Sequence, residues 1–162
     1  MTRKSGVDNL WFRQQVQEAL EVAADGRRSI AIELLKDLVE HCRAAAAVSL
    51  SDWHEIQALW LLGVEFEAAE RFRDAARAYE RIVTLRRDAR HEATEGLADA
   101  LAAAAVCELR AGNRRAGVKL ANEVLQGDAK RLSKKTVRFL KAEIGKAKTP
   151  DRGLRPRKAR GA

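Results

Sequence analysis

The sequence predicts an all-α protein, and three observations support this class. Proline occurs only at Pro150 and Pro156 and glycine only 10 times in 162 residues, while alanine, leucine, glutamate and arginine are abundant. Such a composition favours helices over sheets. Apolar residues also recur three and four positions apart in seven segments with short breaks between them, which is the period of an amphipathic helix. A chain of this length can bury one core without disulfides or metals.

The seven predicted helices follow each other closely along the chain. Asp8, Ser51 and Ser133 are candidate N-caps of the first, third and seventh helix, since their side-chain oxygens can accept a bond from a free backbone N–H. The predicted spans are residues 8–24, 29–43, 51–69, 72–87, 92–110, 114–126 and 133–148. Their apolar sides carry, in the same order, Phe12, Val16, Ala19, Leu20 and Ala23; Ala31, Leu34, Leu35, Leu38 and Val39; Trp53, Ile56, Leu59, Trp60, Gly63 and Phe66; Phe72, Ala75, Ala76, Tyr79, Ile82 and Val83; Leu97, Leu101, Ala104 and Ala105; Val118, Leu120, Ala121, Val124 and Leu125; Val137, Leu140 and Ile144.

The basic charge is confined to one end of the chain. Residues 1–128 carry 18 Lys and Arg against 21 Asp and Glu, a balance of −3, whereas residues 129–162 carry 13 against 2, a balance of +11. Electrostatic attraction to a partner therefore belongs to the last segment. We predict a flexible N-terminus at residues 1–7, a helical domain at 8–148 and a disordered basic tail at 149–162, where the apolar content is too low for folding.

The predicted helices form three similar pairs. The segments DGRRSIAIELLKDLV, AERFRDAARAYERIV and AGNRRAGVKLANEVL share a polar turn, a small residue, an apolar or small residue four positions later and a closing apolar pair. Their turns fall at Gly26, Glu70 and Gly112, in two nearly equal steps along the chain. Short connections favour antiparallel neighbours, so each pair is a predicted hairpin. A repeat of this length is typical of helix pairs that stack into a solenoid.

One of these pairs carries a more specific motif. In LLGVEFEAAERFRDAARAYERIV, a Leu-Gly pair ending at Gly63 is followed by Phe66, and Ala75 is followed by Tyr79 four positions later. This spacing resembles the tetratricopeptide repeat (TPR). The resemblance implies that Gly63 and Ala75 allow a close approach of two helices. Phe66 and Tyr79 would then fill the space between repeats. It also implies a right-handed superhelix of three antiparallel hairpins with a C-terminal capping helix.

The resemblance further implies a ligand groove, because the first helices of such hairpins line a concave face. The family's inward positions fall at Arg13, Val16, Leu20, Gln57, Trp60, Val64, Glu67, Ala102, Val106 and Arg110. These residues predict a largely apolar trough for an apolar or amphipathic segment of another protein or peptide. Trp60 has two interpretations: a core position in a helix that is apolar nearly all round, or an anchor in an open groove. The predicted function is protein binding, as an adaptor, chaperone or assembly factor.

The C-terminal region predicts a basic surface. Its residues are Lys130, Arg131, Lys134, Lys135, Arg138 and Lys141 around the seventh helix, and Arg155, Arg157 and Lys158 in the tail. One interpretation is a capping helix with a polar outer surface, which repeat arrays need for solubility. A second is phosphate contact with nucleic acid through residues 129–162. A third is contact with an acidic protein or membrane surface.

The sequence offers little material for catalysis. The pairs His54-Glu55 and His91-Glu92 lack the second histidine that a zinc-binding helix needs, and no glycine-rich phosphate loop occurs. We therefore expect no metal, no cofactor and no enzymatic activity. The two cysteines, the absence of an apolar leader at the N-terminus and the absence of a long apolar run favour a cytoplasmic protein without a transmembrane span. The abundance of alanine and arginine suggests a bacterial gene.

Overall fold

The computed structural model describes residues 9–49, 52–88, 96–127 and 129–148. In these ranges the chain forms seven α-helices and no strand, which confirms the all-α prediction. The helices are α1 (Asn9–Ala24), α2 (Arg28–Ser49), α3 (Trp53–Ala68), α4 (Phe72–Asp88), α5 (Leu97–Arg110), α6 (Arg114–Gly127) and α7 (Lys134–Lys148), with a short 3₁₀ helix at Ala129–Arg131.

Most predicted helix boundaries that fall within the described residues agree with the structure, and one is wrong. Helix α2 continues to Ser49, well beyond its predicted end at Arg43, because the alanine run there is a strong helix former. Helix α5 begins at Leu97 after Gly96, which adopts a left-handed φ of 77°; its predicted start near residue 92 lies outside the described residues. The Ser133 cap is confirmed: its Oγ accepts a bond from the backbone N–H of Thr136 at 3.1 Å. The predicted caps Asp8 and Ser51 and the predicted flexible segments 1–7 and 149–162 lie outside the described residues.

The helices pack in the order in which they occur in the chain. Each contacts the next one, α7 also contacts α5, and α1 also contacts α3. One apolar cluster includes buried residues from every α-helix, and it is densest in α3, α4 and α5. The middle of the chain is therefore the best-packed part of the described structure.

Three turns of the same geometry end α1, α3 and α5. A residue with positive φ follows each helix end: Gly26 (81°), Glu70 (57°) and Gly112 (83°). In each turn the next backbone N–H reaches back to a carbonyl five residues earlier, as in the Schellman motif. These bonds are Arg27 to Val22 (3.1 Å), Arg71 to Phe66 (2.8 Å) and Asn113 to Glu108 (2.9 Å). The turns thus repeat at the nearly equal steps predicted from the sequence.

Two glycines allow neighbouring helices to come close together. A Cβ on Gly63 in α3 would lie 2.7 Å from ring atoms Cε1 and Cζ of Tyr79 in α4. A Cβ on Gly117 in α6 would lie 2.6 Å from Cγ of Leu109 in α5. Carbon atoms do not approach this closely without displacement, so these contacts need glycine. Tyr79 is only 1% exposed, and its ring therefore cannot move aside into solvent.

Candidate functional site

Two cavities meet at Trp60 on the side of α3 that faces α5. The first has a volume of about 270 Å³ and is lined by Ile56, Gln57, Trp60, Ile82, Arg86, Gly96 and Asp99. The second, of about 310 Å³, is lined by Trp60, Glu67, Asp99, Ala102, Ala103, Val106, Leu132 and Thr136. Because Trp60 and Asp99 belong to both cavities, the two form one elongated depression, which we call the α3/α5 trough.

Trp60 contributes both to the trough and to the core. It is half-buried and packs against the apolar cluster, and its ring meets the Tyr79 ring edge-on at a centroid distance of 5.2 Å. Ala102 and Ala103 of α5 line the second cavity opposite Trp60, and because their side chains are small, the cavity between them and Trp60 stays open. The two interpretations of Trp60 from the sequence are therefore compatible in this structure.

A hydrogen bond and an ion pair connect Tyr79 to Arg110 at the end of the trough. The Tyr79 hydroxyl donates to Glu67 Oε1 at 2.8 Å, and Glu67 Oε2 lies 3.5 Å from Nη1 of Arg110. The Arg110 guanidinium stands over the Phe72 ring at 5.5 Å. Burial raises the pKa of Tyr79 well above its usual value, and the hydrogen bond to Glu67 raises it further. The phenol therefore stays protonated and holds the Glu67 carboxylate in place.

The trough gathers about half of the residues predicted for the groove. Gln57, Trp60, Glu67, Ala102 and Val106 line it directly. Arg110 reaches it through its ion pair with Glu67. Other predicted positions are separate from it: Val64 is exposed on α3, and Arg13, Val16 and Leu20 lie on α1.

Arg86 is a trough residue that the sequence pattern did not reveal. It lies in the last turn of α4 and lines the first cavity beside Trp60. Its sequence context is that of a charged helix end, because it is followed by Arg87, Asp88 and further polar residues. The spacing of Arg86 could have predicted its position, because Arg86 comes two helical turns after Tyr79 and both therefore lie on the same side of the helix.

Two further cavities lie outside the trough. One, of about 340 Å³, lies between α2, α3 and α4 and is lined by several arginines over an apolar floor. Beside it, the buried carboxylate of Glu55 accepts bonds from Nε of Arg43 at 3.3 Å and Nε of Arg81 at 3.1 Å. Glu55 is 1% exposed, so these two arginines hold a charge that would otherwise be costly to bury.

The second of these cavities is lined by a glutamate with an unpaired carboxylate oxygen. It has a volume of about 440 Å³ and is lined by Arg73, Arg77, Glu108, Gly112 and Asn113. Glu108 is 9% exposed, and its Oε2 has no hydrogen-bond partner. Burial raises the pKa of nearby Glu80, the charge of Glu108 adds to this effect, and Arg77 opposes it.

The basic surface of α7 is present in the described residues. Lys134, Lys135, Arg138 and Lys141 are exposed and form no ion pair within the described chain. The opposite side of α7 is apolar, with Leu140 and Ile144 buried in the core cluster. Lys130 and Arg131 are exposed on the 3₁₀ helix that precedes α7. Arg155, Arg157 and Lys158 lie outside the described residues.

Cys42, Cys107 and His54 take part in packing. Burial raises the pKa of the Cys42 thiol to about 11 and that of Cys107 to about 12. Both thiols therefore stay protonated near neutral pH, and a protonated thiol is a poor nucleophile and metal ligand. His54 contacts the Phe12 ring at 4.8 Å and is hydrogen-bonded to Asn9 Oδ1 at 2.9 Å.

Neither a metal-holding cluster nor a membrane-spanning helix occurs in the described part of the chain. Among those residues no group of three His, Cys, Asp or Glu side chains is placed to hold a metal ion. No described helix combines the length and the apolar character needed to cross a membrane. In comparisons with known proteins, no family model and no curated protein matches the chain. The α3/α5 trough and the basic surface of α7 are the features from which a function can be inferred.

Proposed function

We propose that the chain is a protein-interaction module, acting as an adaptor, chaperone or assembly factor, rather than an enzyme. Its helices would form a TPR-like, right-handed stack of three antiparallel hairpins closed by α7. The bound partner segment would lie on the concave face of this stack. The observation that carries the proposal is the α3/α5 trough, in which Trp60 stands between two cavities.

The TPR-like architecture is supported by the repeated turns and the glycine contact. The three turns recur at nearly equal steps with the same left-handed residue and the same backbone bond. Gly63 and Tyr79 occupy two positions of the TPR-like motif, and their close contact joins α3 to α4. Helices α3 and α5, the first helices of the second and third hairpins, both line the trough, as a concave face requires.

The chemistry of the trough fits an apolar or amphipathic ligand. The second cavity is lined mainly by Trp60, Ala102, Ala103, Val106 and Leu132. Small side chains opposite a tryptophan leave room for an inserted apolar side chain, and tryptophan is among the commonest energetic anchors of protein interfaces. We also assign the protein to the cytoplasm, which accords with its free, buried cysteines.

The test is to capture a partner from cell lysate with the tagged full-length protein and with variants in which a single tryptophan is replaced. Trp60→Ala should reduce partner retention at least tenfold. Trp53→Ala is the matched control and should leave retention unchanged, because Trp53 is on the same helix, is 53% exposed and lines neither cavity. Since Trp60 also packs on Tyr79, Ala103→Gln provides a second variant that fills the second cavity without removing core atoms. Equal retention by all three folded variants would exclude the trough as the binding site.

A second candidate function is nonspecific binding of nucleic acid through α7. Four exposed cations of α7, Lys134, Lys135, Arg138 and Lys141, have no ion pair within the described chain, so their charge is available to phosphates. Phe139 is the one aromatic residue of α7, so sequence-independent phosphate contact is expected rather than base stacking.

Fluorescence anisotropy with a labelled random-sequence DNA duplex tests this alternative in the full-length protein. Changing the four cations together to glutamine should abolish binding, and the affinity of the unchanged protein should fall steeply with salt. Binding that is insensitive to both changes would exclude the basic surface as a phosphate site for nucleic acid and would leave capping of the helical stack or contact with an acidic surface as its role.

A further inference from the structure

The cavity between α2, α3 and α4 combines an apolar floor with a cationic rim. We call it the α2/α4 cavity, since these two helices form its walls. Its floor is made by buried residues of α3, namely Leu59, Leu62 and Phe66. Its rim carries the five cations Lys36, Arg43, Arg71, Arg77 and Arg81 against the two anions Glu40 and Asp74. The cavity shares no lining residue with the α3/α5 trough, so it is a separate surface.

Glu55 fixes two of the rim arginines at one end of the cavity. Its buried carboxylate holds Nε of Arg43 from α2 and Nε of Arg81 from α4. Arg43 also uses Nη1 to pair with Glu40 at 2.9 Å, which leaves its Nη2 without a bond. Neither Nη atom of Arg81 forms a bond within the described chain, and neither is buried. Since the two side chains are 44% and 39% exposed, a ligand can reach these donors.

The charges around the cavity do not cancel. Asp74 is bound by Arg71 through Nε at 2.9 Å and Nη2 at 2.7 Å, and it leaves Arg77 a longer contact of 3.7 Å. Lys36 pairs with Glu33, which lies outside the cavity. When Glu33 and the buried glutamate are added to the two rim anions, four anions stand against five cations. One positive charge therefore remains in excess, and a ligand with one negative charge would balance it.

This combination fits a carboxylate that is attached to an apolar group. A guanidinium presents paired N–H donors that match the two oxygens of a carboxylate. A phosphate group carries up to about two negative charges at neutral pH, which exceeds the single excess charge. A small ion such as acetate would leave the floor exposed to water, and a purely apolar group would leave the excess charge unmatched.

The size of the floor suits a short piece of a longer chain. Leu59 and Phe66 are seven residues apart on α3, which corresponds to about 10 Å along a helix. At about 3.3 Å per residue, an extended segment of about three residues covers that distance. Because the rim cations are exposed, the outer side of the ligand would stay in contact with solvent, as in a segment that continues in both directions.

We propose that the α2/α4 cavity is a second docking site, which binds a partner segment with an acidic residue next to an apolar one. The acidic side chain accepts bonds from the Nη groups of Arg81 and from Nη2 of Arg43. The apolar side chain covers Leu59 and Leu62. Glu55 acts as a positioning residue: it holds both guanidiniums before the ligand arrives, which lowers the cost of ordering them on binding. This site goes beyond the proposed function, because it does not involve the trough.

The experiment selects displayed random peptides on the full-length protein and measures the affinities of the synthesised peptides for single variants. Arg81→Gln removes the donors at the Glu55 end. Arg77→Gln removes a rim charge without disturbing Glu55, because Arg77 is 78% exposed and has only its long contact with Asp74 in the described chain. Arg73→Gln is the matched control, since Arg73 is an exposed arginine of the same helix that does not line this cavity. Circular dichroism verifies that each variant is folded.

Arg81→Gln should weaken peptide binding at least tenfold, or about 1.4 kcal/mol. Arg77→Gln should weaken it severalfold, and Arg73→Gln and Trp60→Ala should leave it unchanged. Replacing the acidic residue of the peptide by its amide should weaken binding to the unchanged protein but cause little further loss with Arg81→Gln, because the contact is already missing there. Affinity should also fall as salt is added, since the contact joins opposite charges.

The outcomes that would overturn the inference are distinct. It fails if every selected peptide lacks an acidic residue, or if every one binds Arg81→Gln and Arg77→Gln normally. Equal weakening by Arg73→Gln and Arg77→Gln would reduce the effect to net charge and overturn the site. Peptides that all require Trp60 would belong to the trough, which supports the proposed function and refutes this second site. Binding of octanoate that requires Arg81, with no peptide selected, would identify a free amphiphile as the occupant in place of a partner segment.

Discussion

A glycine-to-alanine substitution should have opposite effects at two helical positions of this protein. Gly63 lies inside α3 against Tyr79, whereas Gly145 lies inside α7, where an added Cβ would have nothing within 4 Å. Alanine is better than glycine by about 0.8–1.0 kcal/mol in a helix interior. Gly145→Ala should therefore stabilise the protein by up to about 1 kcal/mol.

At Gly63 the steric cost should exceed this gain. The added carbon would stand 2.7 Å from two atoms of a ring that is 1% exposed, and overpacking of this kind costs about 1–3 kcal/mol. Displacing the ring also strains the bond from the Tyr79 hydroxyl to the Glu67 carboxylate, which contributes about 1.5 kcal/mol as a bond to a charged group. After subtracting the helix gain, Gly63→Ala should lower the free energy of unfolding by about 2–3 kcal/mol.

Urea unfolding followed by helical circular dichroism measures both effects. With a typical slope of about 2 kcal/mol per molar urea, the Gly63→Ala midpoint should fall by about 1 M, and the Gly145→Ala midpoint should rise slightly. The slopes themselves should be unchanged. A rise of the Gly63→Ala midpoint equal to that of Gly145→Ala would refute the close contact between α3 and α4.

Three further changes have defined outcomes. Glu70→Gly should raise the free energy of unfolding by about 1 kcal/mol in the same assay, because a side chain in the left-handed conformation costs about 1–2 kcal/mol; no change would mean that Glu70 gains an equal amount from another contact. Glu108→Leu should add about 1–3 kcal/mol of stability by removing the unpaired buried oxygen, and a loss would imply a partner for that carboxylate. Tyr79, the single tyrosine, should show no phenolate absorbance until well above its ordinary pKa of 10.0, because burial and Glu67 raise its pKa. Since the unfolded chain releases this proton first, the free energy of unfolding should fall as the pH rises above about 10, and Tyr79→Phe should remove that part of the fall.

The positions of the three turns could be predicted from the sequence, but the strained backbone conformation of Glu70 could not. The helix breaks at Gly26 and Gly112 were readable because glycine favours a left-handed residue after a helix. Glu70 was placed at the equivalent position only by the spacing of the repeats, and its positive φ had no signal of its own. The extension of α2 to Ser49 was missed because a run of alanines has no apolar periodicity, although alanine favours a helix.

The trough was predictable in part for similar reasons. Trp60, Ala102 and Val106 follow helical periodicity, so their common side could be inferred once α3 and α5 were taken as neighbours. Arg86 and Glu108 were not identified, because charged residues in amphipathic helices usually face solvent. Whether such a residue is buried depends on the helix packed against it, and one sequence does not specify that packing.

The order in which the helices pack also determines how stability is distributed along the chain. Helices α3, α4 and α5 each pack against both the preceding and the following helix, whereas α1 is the first helix and has no preceding one. In structures of this kind the terminal units can open while the central ones remain folded. Amide hydrogens of α1 should therefore exchange with deuterium before those of α3 and α4, under conditions in which the whole chain does not unfold. The α3 and α5 walls of the trough belong to the slow-exchanging centre, while Leu132 and Thr136 come from the C-terminal end. A bound segment would therefore find most of its site already formed, and α1 could open without releasing it.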